Sequence, residues 1–110
     1  MITRTNKKKE VWLGLIEISG DPDNSILDGC CGGFSNFLIY ADSSSIFEKF
    51  VEVSAANLSL KVEKIIWSES LSTRLKNFDI DNYLLKLAAE LDPKVDEGVW
   101  GEFHVWEENE

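Results

Sequence analysis

Few residues in this sequence are equipped for chemistry, and they are widely spaced. Cys30 and Cys31 are adjacent, and the chain has no other cysteine. Bridging neighbouring thiols strains the peptide between them, so a disulfide framework is excluded and a reducing compartment fits. Zinc sites usually draw on C-x2-C pairs plus two further ligands, and the single histidine, His104, is far from the cysteines in sequence. On residue types alone, Cys30 or Cys31 with His104 would suit thiol catalysis. A general base needs a partner acid and a nucleophile within about 3 Å, and nothing in the sequence identifies that nucleophile. A half-exposed strand histidine is the simpler reading of His104. Asp21, Asp23 and Asp28 resemble a loose cation loop, but lack the glycine and terminal glutamate that make a calcium loop specific. Cys30-Cys31-Gly32-Gly33 does not lead into a helix, and no phosphate-binding loop, zinc-protease helix or serine-hydrolase elbow is present. The sequence therefore assigns no catalytic residue, no metal ligand and no cofactor.

The distinctive chemistry is electrostatic. The 110 residues carry 20 acidic and 11 basic side chains, giving a net charge of −9. That charge is unevenly placed: residues 1–10 are +3, residues 11–78 are −4 and residues 79–110 are −8. A net-negative surface repels nucleic acid and anionic membranes, so neither is expected as a partner and a basic protein is. Four tryptophans are present, and Trp100 and Trp106 stand among Glu97, Glu102, Glu107 and Glu108. Tryptophan inside a charged rim is a common anchor of protein interfaces. The candidate contact set is Asp92, Asp96, Glu97, Trp100, Glu102, His104, Trp106, Glu107 and Glu108. The plainer reading is a solvated acidic face that aids solubility. Trp12, Phe37, Trp100, His104 and Trp106 would also supply stacking on a sheet that reads single-stranded RNA, but the acidity opposes this, and core or interface anchors fit them better.

These residues need a scaffold. A hydrophobic fraction of 44% supports a core, and the length suits one domain spanning residues 1–110, with residues 1–9 as a flexible basic arm and 107–110 as a loose acidic tail. No apolar run approaches the roughly 20 residues of a membrane helix, and no signal peptide is complete, so a cytoplasmic protein is expected. Residues 11–18 read as a strand with apolar residues on both faces, which suggests cover on both sides or a rim contact. A loop over residues 19–33 follows, holding a short helix at 25–28 or none, and then a strand over 34–41. Ser45 and Glu48 form a capping box, Ile46, Phe47, Phe50, Val51, Ala55 and Leu58 make a helical stripe, and Asn57 can end the helix in a left-handed conformation. Residues 60–67 read as a strand that is either covered on both sides at its end or bulged near Lys64. A short helical turn at 71–78 precedes a helix capped by Asp79 or Asp81, with Ile80, Leu84, Leu87, Ala88 and Leu91 inward and Asp92-Pro93 as its stop. Residues 99–106 read as the last strand. Its phase puts Trp100, Glu102, His104 and Trp106 on one face and Val99, Gly101, Phe103 and Val105 on the other. The order β-β-α-β-α-β favours a right-handed crossover and an α+β fold: a four-stranded, mainly antiparallel sheet with two helices on one face, ferredoxin-like or a near relative.

The segment Val99-Trp-Gly-Glu-Phe-His-Val-Trp-Glu-Glu, with the acidic helix before it, resembles the small acidic immunity proteins of bacterial toxin systems such as contact-dependent growth inhibition. That resemblance implies a non-catalytic module that binds and neutralises a cognate toxin domain, often a basic nuclease, with carboxylates meeting the toxin's Lys and Arg side chains. The basic arm at Lys7–Lys9 departs from this pattern. Two other readings stay open: a small thiol-dependent enzyme using Cys30 or Cys31, and a structural or regulatory homodimer.

Overall fold

The alternation of apolar residues in the two longest strands determines how the fold is layered. The computed structural model describes residues 9–106. The basic arm, apart from Lys9, and the acidic tail with Glu107 and Glu108 lie outside the described residues. Strands β1 (Glu10–Ser19) and β2 (Gly32–Ala41) form an antiparallel pair in unbroken register, from Glu10 opposite Ala41 to Ser19 opposite Gly32. Ile16, Ile18, Phe37, Ile39 and Ala41 point to one side and are buried. Leu13 and Leu38 point to the other and are also buried. A pair that is apolar on both sides must be covered on both.

The remaining elements supply that cover. Helix α1 (Ser44–Asn57) buries Phe47, Val51 and Ala55 against the first side. Helix α3 (Asn82–Ala89) sets Ala88, Leu84 and Leu87 against Leu13 and Leu38 on the second, joined by Leu71 at the start of α2 (Leu71–Asn77). The class is α+β with an antiparallel sheet, as expected. The expected placement of two helices on one face is corrected: the three helices among the described residues are divided between the faces. One-sided cover would have left Leu13 and Leu38 in water, at about 2 kcal/mol for each exposed leucine.

Strand β3 (Lys61–Ser70) lies outside β1, while β4 (Val99–Trp100) and β5 (His104–Trp106) share the outer side of β2. Both β2 and β3 run antiparallel to β1, hence parallel to each other, and α1 makes the crossover between them. Two register shifts in β3 leave Ile66 and Glu63 as extra residues, on either side of Lys64 and Ile65. The expected bulge near Lys64 is therefore present. It brings Val62 and Ile65 to the α1 side while Trp67 stays on the α3 side.

Residues 20–31 are a chain of turns, with no helix at 25–28. Leu27 is fully buried under the loop, the Asn24 side chain donates to Leu58 O (2.9 Å), and Gly20 N donates to Cys31 O (3.0 Å) to close its neck. The loop is thus tied to the end of α1. At the other end of α1 the cap is Ser43, whose hydroxyl accepts from Ile46 N (3.4 Å), two residues before the expected Ser45. No helix among the described residues is long and apolar enough to cross a membrane.

Candidate functional site

The acidic residues reach the surface through the connection from α3 to β4. Helix α3 ends at Ala89, and Glu90, Asp92, Asp96 and Glu97 are all exposed in the eight residues that follow. The connection is locally built: Asp92 Oδ1 accepts from Lys94 N (2.9 Å), and Asp92 O accepts from Val95 N (3.1 Å), a turn that takes the chain around Pro93. Gly98 then lets the backbone descend onto β2, because a Cβ there would collide with the Phe37 ring and stand 2.7 Å from Leu38 O. Val99 and Trp100 pair with Leu38 and Phe37.

This descent divides the surface. On the α1 side, an open cleft of about 290 Å³ runs between the second half of α1 and Asp96, Glu97 and Trp100. On the α3 side, a second depression of about 420 Å³ is walled by Leu87, Leu91, Val95 and Glu97. Glu97 and Gly98 border both. Asp96 is paired with Lys9 across 3.3 Å, and both side chains are largely exposed. Among the described residues Glu97 makes no ion pair.

The four expected site residues of the last strand do not share a face. Trp100 turns inward on the α1 side: its ring lies 4.7 Å from Phe37 and 5.4 Å from Phe103, and its Nε1–H donates to Ser54 Oγ of α1 (2.9 Å). Residues 101–103 leave the ladder, with Gly101 N donating to Asn36 O (2.8 Å) and Glu102 N donating to the Tyr83 hydroxyl. The break shifts the phase, so Phe103 and Val105 join Trp100 against the α1-side core. His104 and Trp106 fall on the opposite side, where Phe34 stacks with His104 (5.5 Å) and tilts against Trp106 (6.0 Å). The single continuous strand over 99–106 is corrected to two short ones, and the shared face with it. The partners of Val99 and Trp106, Leu38 and Gly32, lie six residue steps apart on β2, about 20 Å at strand rise. The structure thus gathers Asp92, Asp96, Glu97 and Trp100 at one end of the sheet edge and leaves His104 and Trp106 at the other, with Glu102 between them.

Sequence reasoning missed the α1 wall of the first cleft, where Phe50, Val53, Ser54 and Asn57 face Asp96 and Glu97. Val53 carried the signal: it is an apolar residue outside the helical stripe, and it is 60% exposed. Of the rings considered for stacking on nucleic acid, Phe37 is fully buried, and Trp12 and Trp100 pack against the α1-side core. Only His104 and Trp106 are exposed. Cys30 and Cys31 close the 20–31 loop and are half-buried, and His104 sits opposite Phe34 on the neighbouring strand. Among the described residues no three His, Cys, Asp or Glu side chains converge as a metal-binding group. No family model, no curated protein and no solved structure matches this chain.

Proposed function

We propose that this chain is a non-catalytic protein-binding module of the immunity type, which holds and neutralises a basic toxin domain. The observation that supports this reading is the acidic connection between α3 and β4, with Glu90, Asp92, Asp96 and Glu97 exposed beside two apolar-walled depressions. Carboxylates around apolar recesses suit a partner rich in Lys and Arg: the charges speed encounter and the recesses hold the complex. The contact surface in this reading centres on Asp92, Asp96, Glu97 and Trp100, and its setting is the cytoplasm, where a toxin that has entered a cell would be met. Co-expression with a cognate basic toxin domain tests it. The expected result is a stable one-to-one complex and restored growth of cells making the toxin. Growth arrest despite abundant folded protein would sink the reading.

A second reading draws on a different patch. Trp106 is 40% exposed and clusters with His104 and Phe34 at the far end of the sheet edge, which suits pairing of two copies. Light scattering at high protein concentration tests it, and a monomer there removes it.

A further inference from the structure

The α1-side cleft has a more specific chemistry than general acidity. Its lining is aromatic and aliphatic, from Phe37, Phe50, Val53 and Trp100, and it includes the exposed acidic residues Asp96 and Glu97. At about 290 Å³ it lies at the bottom of the range of small-molecule sites, roughly 300–1,000 Å³, which suits one inserted side chain better than a larger ligand. Apolar walls accept an alkyl stem, aromatic faces accept a flat cation, and carboxylates accept its N–H groups.

The molecule already uses this combination elsewhere. Arg74 lies 3.9 Å from the centre of the Trp67 ring and 4.0 Å from that of Phe78, with Glu69 accepting from its Nη1 at 3.0 Å. A guanidinium between aromatic rings with a carboxylate at its edge is therefore a stable arrangement in this fold. A second observation bears on these carboxylates. Lys9 Nζ rests 3.3 Å from Asp96 Oδ1, so Asp96 already accepts a cation of this chain, from a residue outside the cleft lining, while Glu97 makes no ion pair among the described residues.

We infer that the cleft between α1 and residues 96–100 is a receptor for a single arginine side chain presented by a partner protein. The guanidinium is held by Glu97 and Asp96, and the stem lies along Val53 and Phe50. This inference rests on the protein-binding reading and names the residue by which the partner is gripped. Lys9 competes for Asp96, so its ammonium must move aside when the arginine enters.

The test is a titration of the full chain with N-acetyl-arginine N-methylamide, followed by NMR. The expected result is a saturable shift of the Trp100 indole N–H, the Val53 methyls and the Asn57 side-chain amide, with a dissociation constant in the millimolar range. The uncharged citrulline analogue should shift none of them. Glu97→Gln should weaken binding several-fold, Lys9→Ala should tighten it modestly, and Asp23→Asn, exposed in the 20–31 loop and outside the cleft, should change nothing. Equal shifts with arginine and citrulline, shifts confined to His104 and Trp106, or no saturable shift at millimolar probe would each overturn the inference. The two ideas fail separately: arginine binding with no neutralised toxin leaves the cleft standing, and a toxin complex indifferent to Glu97→Gln and Val53→Glu leaves the module without this grip.

Discussion

Ser59 follows the last turn of α1 with φ +61, a conformation that side chains with a Cβ adopt at a cost. The turn around it is a complete helix-ending motif: Ser59 N donates to Ala56 O and Leu60 N donates to Ala55 O, both at 2.9 Å. Glycine is the usual residue at that position because it lacks the clash. Ser59→Gly is therefore expected to stabilise the protein by about 0.5–1 kcal/mol, the relief being partly offset by glycine's greater freedom when unfolded. Urea unfolding measures it, and a midpoint unchanged or lowered would show that the serine contributes something the backbone geometry does not account for. The same position shows why residue-scale features were only partly legible. Residue type nominates Asn57 as the left-handed residue, but the helix runs through it, because the terminator is set by where Leu60 must enter the core. The cap shows the same limit: Ser43, Ser44 and Ser45 are chemically equal candidates, and only the exit of β2 selects Ser43.

At the scale of elements, legibility depended on unbroken pairing. The strands read over 11–18, 34–41 and 99–106 are equally long, but the first two lie in one continuous ladder, and the two-faced apolar pattern of β1 and the α1 stripe are found in the cores observed. Alternation over 99–106 cannot report a departure from the ladder. What takes residues 101–103 out is the neighbouring helix: Tyr83 of α3 places its hydroxyl where Glu102 N needs an acceptor, and Gly101 leaves room, since a Cβ there would stand 2.8 Å from that oxygen. Tyr83→Phe removes the acceptor and keeps the ring. Because the site is near the surface, water can replace much of the bond, so the cost is expected to stay within about 1 kcal/mol. The local effect is larger than the global one: hydrogen exchange at the Glu102 amide should quicken while that of Gly101, bonded to Asn36 O, should not. Unchanged exchange at Glu102 would mean that the break is held by β5 rather than by α3.

At the scale of the whole molecule, the charge split along the chain pointed to residues 79–110, and the exposed carboxylates after α3 lie there. Chain order hid two things: that α1, from the other half of the sequence, forms the facing wall, and that Trp106 falls on the opposite side of the sheet from Trp100. Location and net charge can be separated by experiment, because the fold carries a second acidic group at its opposite end. Asp21, Asp23 and Asp28 are exposed in the 20–31 loop, beyond the ends of β1 and β2 that lie farthest from Lys9 and Asp96. Asp92→Asn, Asp96→Asn and Glu97→Gln together remove three charges, and Asp21→Asn, Asp23→Asn and Asp28→Asn remove the same three. Asparagine keeps the turn acceptors at Asp92 and Asp21 and tolerates the positive φ of Asp28, so both variants should fold. If a basic partner docks at the α3–β4 connection, the first variant should slow association about tenfold at low salt, and the second by no more than about twofold, since steering decays over the Debye length. Raising the salt should bring the two rates together. Equal slowing in both variants would mean that overall charge, rather than this connection, draws the partner in, and the acidic residues after α3 would then be a solvated face like any other.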